Sequence, residues 1–164
     1  MPAVSNTSPL LNLAIVNLLD LLRQQFGEIL IPSGVLLELK LETNYPGVKL
    51  IQAAINTEWV RVVELKNTHL AQALRLELDQ GEAAAIALAL ELGLQQVLMD
   101  EREGRARAKA LGLQPVGVLG VLLRAKLAGQ ISSVKIVMQS LRSEAGFFIA
   151  DSLFEGILVE AGEQ

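Results

Sequence analysis

The chain has 164 residues, 51% of them apolar, with 14 basic and 18 acidic side chains and a formal net charge of −4. It contains no cysteine and a single histidine, His69. That excludes thiolate nucleophiles, zinc–thiolate centres and multi-histidine metal sites, and leaves carboxylates as the main chemical tools.

The length suits one domain spanning 1–164 with a substantial core, although a mean hydropathy of +0.41 is high for so short a chain. The longest apolar runs, such as 83–90, stop well short of the roughly 18 residues that a membrane span needs. No basic segment precedes the apolar N-terminal stretch, so no signal peptide is expected. The expectation is a cytoplasmic protein that uses its apolar surplus to cover both faces of a sheet and to form a homodimer. The apolar helices expected within 8–22 and 119–128 are the candidates for that contact.

In chain order, "AVSNTSPLLNLA" (3–14) reads as a short strand running into a helix, with Thr7-Ser8-Pro9 supplying a cap residue and then proline at the first helical position. "GEILIPSGVLLELKLE" reads as a strand over 28–31 and a helix opened by Pro32-Ser33. A second helix follows in "PGVKLIQAAIN", and "EWVRVVEL" alternates like a strand. The stretch 68–93 holds two helices joined near Asp79, with His69 at the start of the first. "QQVLMD" is a short buried strand, "EREGRARAKALG" a helix and "QPVGV" another strand; 119–129, 131–143 and 150–162 are helical. The echo between "LGLQQVL" and "LGLQPVGV" marks two successive helix-to-strand junctions, each with a glycine at the helix end. Alternating strands and helices predict an α/β fold with right-handed crossovers and a mostly parallel sheet. No GxGxxG and no GxxxxGK[ST] follows the first strand, which disfavours dinucleotide and P-loop enzymes.

Charge is distributed unevenly. Residues 102–142 carry eight basic side chains and one acidic, whereas the remainder of the chain is acidic. The basic stretch is either a solvated helix face or a flank that holds a phosphate backbone beside an acidic pocket. Arg102 and Arg105 are the candidates for phosphate contact, though Arg102 also has Glu101 and Glu103 to pair with.

The acids that stand out lie at strand ends and helix starts. Glu38 interrupts "VLLELK", Glu82 opens "GEAAAIALAL", and Asp100 ends "VLMD", with Glu101 and Glu103 just beyond. Asn6 closes the first strand with an amide. Each residue has a plainer reading. Asp79 and Glu82 fit a capping box, Glu38 fits a solvated helix face, Asp100 fits a cap for the helix after it, and Asn6 fits a turn. Together, oxygens converging on one side of a parallel sheet suit Mg²⁺ or Mn²⁺.

The blocks "SNTSPLLNLA", "GEAAAIALALELG", "LMDEREGRARAKALGL" and "GVLGVLLRAKLAG", in that order, resemble the DUF3368-like branch of prokaryotic PIN-domain proteins, relatives of toxin-type ribonucleases. The resemblance covers residue 3 to about 160. It implies a three-layer α/β/α sandwich and a Mg²⁺- or Mn²⁺-dependent endoribonuclease, often dimeric and often a toxin restrained by a small antitoxin. Carried over block by block, the family's first aspartate falls on Asn6, and the other acids on Glu38, Glu82 and Asp100. Glu103 or Glu101 stands where a further acid is expected. The departure at Asn6 removes a charge from the implied metal site and weakens the expected nuclease activity. Two other readings stay in view: a catalytically silent PIN-fold module that binds RNA or a protein, and an unrelated α/β enzyme for a small phosphorylated ligand.

Overall fold

The computed structural model describes residues 1–164 and contains five strands and ten helices. In chain order they are β1 (Ala3–Ser5), α1 (Thr7–Ile15), α2 (Asp20–Phe26), β2 (Ile29–Ile31), α3 (Ser33–Leu39), α4 (Val48–Asn56), β3 (Val60–Val62), α5 (His69–Leu74), α6 (Gln80–Leu92), β4 (Gln96–Leu98), α7 (Arg102–Ala110), β5 (Gln114–Val116), α8 (Val118–Leu127), α9 (Val134–Glu144) and α10 (Asp151–Ala161). All strand pairs are parallel, in the order β3-β2-β1-β4-β5. The order reverses beside β1, where open sheets of this kind gather ligands at the carboxyl ends of their strands.

Strand periodicity sorts the core into two layers. Ala3, Ile29, Ile31 and Leu98 point into the larger apolar cluster, which α1, α2, α3, α4, α8, α9 and α10 complete. Their neighbours Val4, Leu30 and Val97 point the opposite way, into a smaller cluster with residues of α5, α6 and α7. The result is the three-layer α/β/α sandwich. Helix α6 lies under the second face, with Gly81 to Ala89 all buried; its small alanines let it sit close to the sheet and to α3 and α5. The two echoed junctions end α6 and α7 through Gly93 and Gly112, both at positive φ.

One expectation needs correction. Helix α1 begins at Thr7, so Asn6 occupies the cap position and Pro9 lies inside the first turn. The stretch 8–22 is two helices, separated where Asn17 takes a positive φ. The faces named for a subunit contact also bury Leu10, Leu13, Leu22, Val121 and Leu122 in this chain's own core. What segment 119–128 leaves outside is chiefly Leu127, 81% exposed. No helix is long and apolar enough to cross a membrane.

Candidate functional site

Asn6 is fixed by the sheet. Its backbone N–H donates to Leu98 O at 3.0 Å, extending the β1–β4 ladder one residue past β1. The side chain is 5% exposed and caps nothing, and its Oδ1 is buried with no hydrogen-bond partner. A buried acceptor left unpaired costs about 1–3 kcal/mol, so an orphan at a strand end calls for an occupant.

Glu38 reaches the same place from α3. The Thr7 hydroxyl donates to its Oε2 at 2.9 Å. A Cβ on Gly81 would lie 2.7 Å from Glu38 Oε1 and 2.9 Å from Asn6 Oδ1. The two oxygens therefore converge on a space that exists only because position 81 has no side chain.

Glu82 follows on α6, and the capping box is real. The Glu82 N–H donates to Asp79 Oδ1 at 2.8 Å and the Asp79 N–H to Glu82 Oε1 at 3.4 Å. The second oxygen, Oε2, is buried and unpartnered. A Cβ on Gly104 would lie 2.5 Å from it, so α7 also approaches through a missing side chain. Burial, then the neighbouring Asp79 carboxylate and more weakly Glu101, push the Glu82 carboxyl up to about 7.

Asp100 is a cap, but of α8 rather than of the helix next in sequence: its Oδ1 accepts the Val118 N–H at 2.8 Å. A Cβ on Gly117 would lie 2.9 Å from that oxygen and 3.0 Å from an Arg105 guanidinium nitrogen. The Ser8 hydroxyl makes a long 3.5 Å contact to Asp100 Oδ2. Burial raises the Asp100 carboxyl above the usual carboxylate range, against the pull of Val118, Arg105 and Ser8. The first turn of α1 thus offers one hydroxyl to Glu38 and the next to Asp100.

Arg105 donates to Met99 O at 3.0 Å beside Asp100. Arg102 is exposed and forms no ion pair with Glu101 or Glu103. The alternatives for the further acid also separate. Glu101 sits at the cap position of α7 and its charge reaches both Glu82 and Asp100. Glu103 instead lines a groove with Glu77 and Arg107.

The donors are all hard oxygens, the kind Mg²⁺ and Mn²⁺ take. No three His, Cys, Asp or Glu side chains converge closely enough to hold a metal ion. Position 6 contributes an amide, and one oxygen each of Glu82 and Asp100 accepts from a backbone N–H. The set still fits an ion that keeps several waters and takes one or two carboxylates; Asn6 Oδ1 and Glu38 Oε1 face the same space beside Gly81.

A parallel sheet covered on both faces, with oxygen donors near the carboxyl ends of its strands where strand order reverses, defines an α/β/α protein. The chain belongs to the PIN-domain family: the family model DUF3368, a PIN domain, matches residues 2–163. No curated protein matches the sequence.

Sequence reasoning missed the close approaches at Gly81, Gly104 and Gly117 and the bridging roles of Thr7 and Ser8. The run "NTSP" directly after a strand was the available signal for the hydroxyls. Nothing local distinguishes Gly81, Gly104 and Gly117 from the chain's other glycines.

Proposed function

We propose that this protein is a Mg²⁺- or Mn²⁺-dependent endoribonuclease of PIN type, weakened by the amide at position 6. The observation that carries the reading is the pair of buried, unpartnered oxygens, Asn6 Oδ1 and Glu82 Oε2, on adjoining elements at the sheet's carboxyl edge. Membership of the PIN family supports a nuclease role, since PIN domains generally use divalent metals. Asn6 and Glu38 would hold the ion, with Glu82 and Asp100 completing the acidic set and Glu101, in place of Glu103, as the outer acid. When bound, the ion supplies water activation and neutralises charge on the phosphoryl group. Arg102 and Arg105 would hold the RNA phosphates beside it.

At position 6 the amide oxygen is a donor without charge. A unit charge pair at 4 Å is worth about 4 kcal/mol at an effective dielectric near 20, before hydration is subtracted. Restoring the carboxylate is therefore the direct test. Cleavage of mixed RNA with Mn²⁺ or Mg²⁺ should be slow for this protein and faster for Asn6→Asp. RNA binding without cleavage by either would favour the second reading, a catalytically silent module; the neutral Asn6 and the lack of a three-acid cluster are the observations on its side. Within the leading reading, the expected protein partners are a small antitoxin that covers the acidic groove and a second copy of the chain. Co-purification and sedimentation test these two.

A further inference from the structure

A cleft of about 450 Å³ opens from Asp100 and Arg105 across the surface of α8 to the segment joining α9 and α10. Its far wall carries Arg124 and Phe148, with Leu119 and Leu153 among its apolar lining. Phe148 is 86% exposed. The chain has only four phenylalanines, and Phe26 and Phe154 are buried while Phe147 packs partly against the core.

The backbone on either side of the exposed ring is anchored. On one side the Phe147 N–H donates to Leu141 O at 3.0 Å. On the other, Ile149 is buried and its carbonyl accepts from the Arg142 guanidinium. Phe148 therefore projects from a backbone anchored on both sides, which limits the backbone entropy lost when something stacks on it, and a phenylalanine has only two side-chain torsions to fix. Arg105 and Arg124 make no ion pair. Arg105 donates one hydrogen bond to Met99 O and the Arg124 guanidinium lies 5.8 Å from the Phe26 ring centroid, which leaves N–H groups of both for an anion. Asp100 is the only acid along the cleft.

We infer that this cleft is a nucleotide subsite for single-stranded RNA: one unpaired base stacks on Phe148, and the flanking phosphates lie against Arg124 and Arg105 on the path to the acidic pocket. An exposed aromatic beside cations, on an apolar floor, is the chemistry that takes unstacked bases without reading their sequence. A double helix would offer phosphates but no free base face. The inference rests on the RNA-directed reading above and adds which residues carry the strand and which form of RNA they accept.

The test is binding of fluorescently labelled 12-nucleotide single-stranded RNA, read by anisotropy in EDTA so that no cleavage intervenes. Phe148→Ala, an exposed change that leaves the core intact, should weaken binding about tenfold, the size carried by one lost base stack. Phe148→Trp should bind at least as well as the parent protein. Arg124→Ala should weaken binding and reduce the salt slope by about one phosphate, whereas Phe148→Ala should leave that slope unchanged. The parent should prefer the intact oligonucleotide to one of abasic residues, and Phe148→Ala should lose that preference. Unchanged affinity in Phe148→Ala, or equal binding of abasic and intact RNA by the parent, would overturn the subsite. So would loss of a dimer in Phe148→Ala with RNA binding intact, which would make the ring a subunit contact. Base-dependent binding alongside no cleavage by Asn6→Asp would sink the nuclease reading and leave the subsite standing.

Discussion

Glu163 and Glu82 differ in how fully their carboxylate oxygens are partnered. Glu163, just past α10, is saturated: it accepts from the Ser133 hydroxyl at 3.0 Å and the N–H groups of Val134 at 2.7 Å and Lys135 at 3.2 Å, and pairs with Lys126 at 3.3 Å. Burial alone would raise its carboxyl, but these partners outweigh burial and hold it at about 2. Glu82, at the start of α6, has one oxygen in a capping box and one buried without a partner, and is pushed up to about 7. The first ties the end of the chain to the start of α9. The second keeps one buried acceptor oxygen unpaired, and burial beside Asp79 favours its protonated form.

The largest expected effect comes from filling the space that keeps Glu82 Oε2 where it is. Gly104→Val places a Cβ 2.5 Å from that oxygen and from Met99 Sδ. Overpacking of this kind should cost about 2–3 kcal/mol in denaturant unfolding. A variant as stable as the parent would mean that α7 does not press on the site.

Next is Glu82→Gln, which keeps the capping box but cannot ionise. The folded-state carboxyl lies near 7, above the usual 4.5. In EDTA its contribution is therefore present below pH 4.5 and lost as pH rises through about 7. The parent should lose about 1–2 kcal/mol more than Glu82→Gln across that window, allowing for screening by nearby solvent, the variant keeping only the pH dependence of other groups such as Asp100. Matching pH profiles would refute the account of Glu82.

The smallest effect belongs to Glu163→Gln, and its sign is opposite. A carboxyl held at about 2 stabilises the fold above pH 4.5 and stops doing so as pH falls toward 2. The variant should be about 1 kcal/mol less stable at pH 7 and converge on the parent in acid. A constant difference down to pH 2 would contradict the saturated picture.

The same contrast explains what the sequence could reveal. Short apolar runs such as those in Ala3–Ser5, Ile29–Ile31 and Gln96–Leu98, separated by helical segments, were enough to read the parallel sheet, because burial on both faces leaves a local pattern. The capping box at Asp79 and Glu82 was legible because its partners are three residues apart. The Asp100 contact to Val118 was not, since it spans 18 residues and depends on α7 and β5 folding back first. The capture of Glu38 by Thr7 is likewise a product of packing, linking α1 to α3 across the site. Asn6 could be recognised as a departure only through the blocks around it; that its oxygen is orphaned became visible only once β4 lay beside β1.

The central claim is that the carboxyl edge of the sheet is a cation seat missing one charge. It is tested most directly by calorimetric titration of Mn²⁺ into the parent protein and into Asn6→Asp. A divalent ion gains more from an ionised oxygen than from a neutral amide, so the account predicts weak binding to the parent and at least tenfold tighter binding to Asn6→Asp. Equal affinities in the two proteins, or no binding by Asn6→Asp, would contradict it.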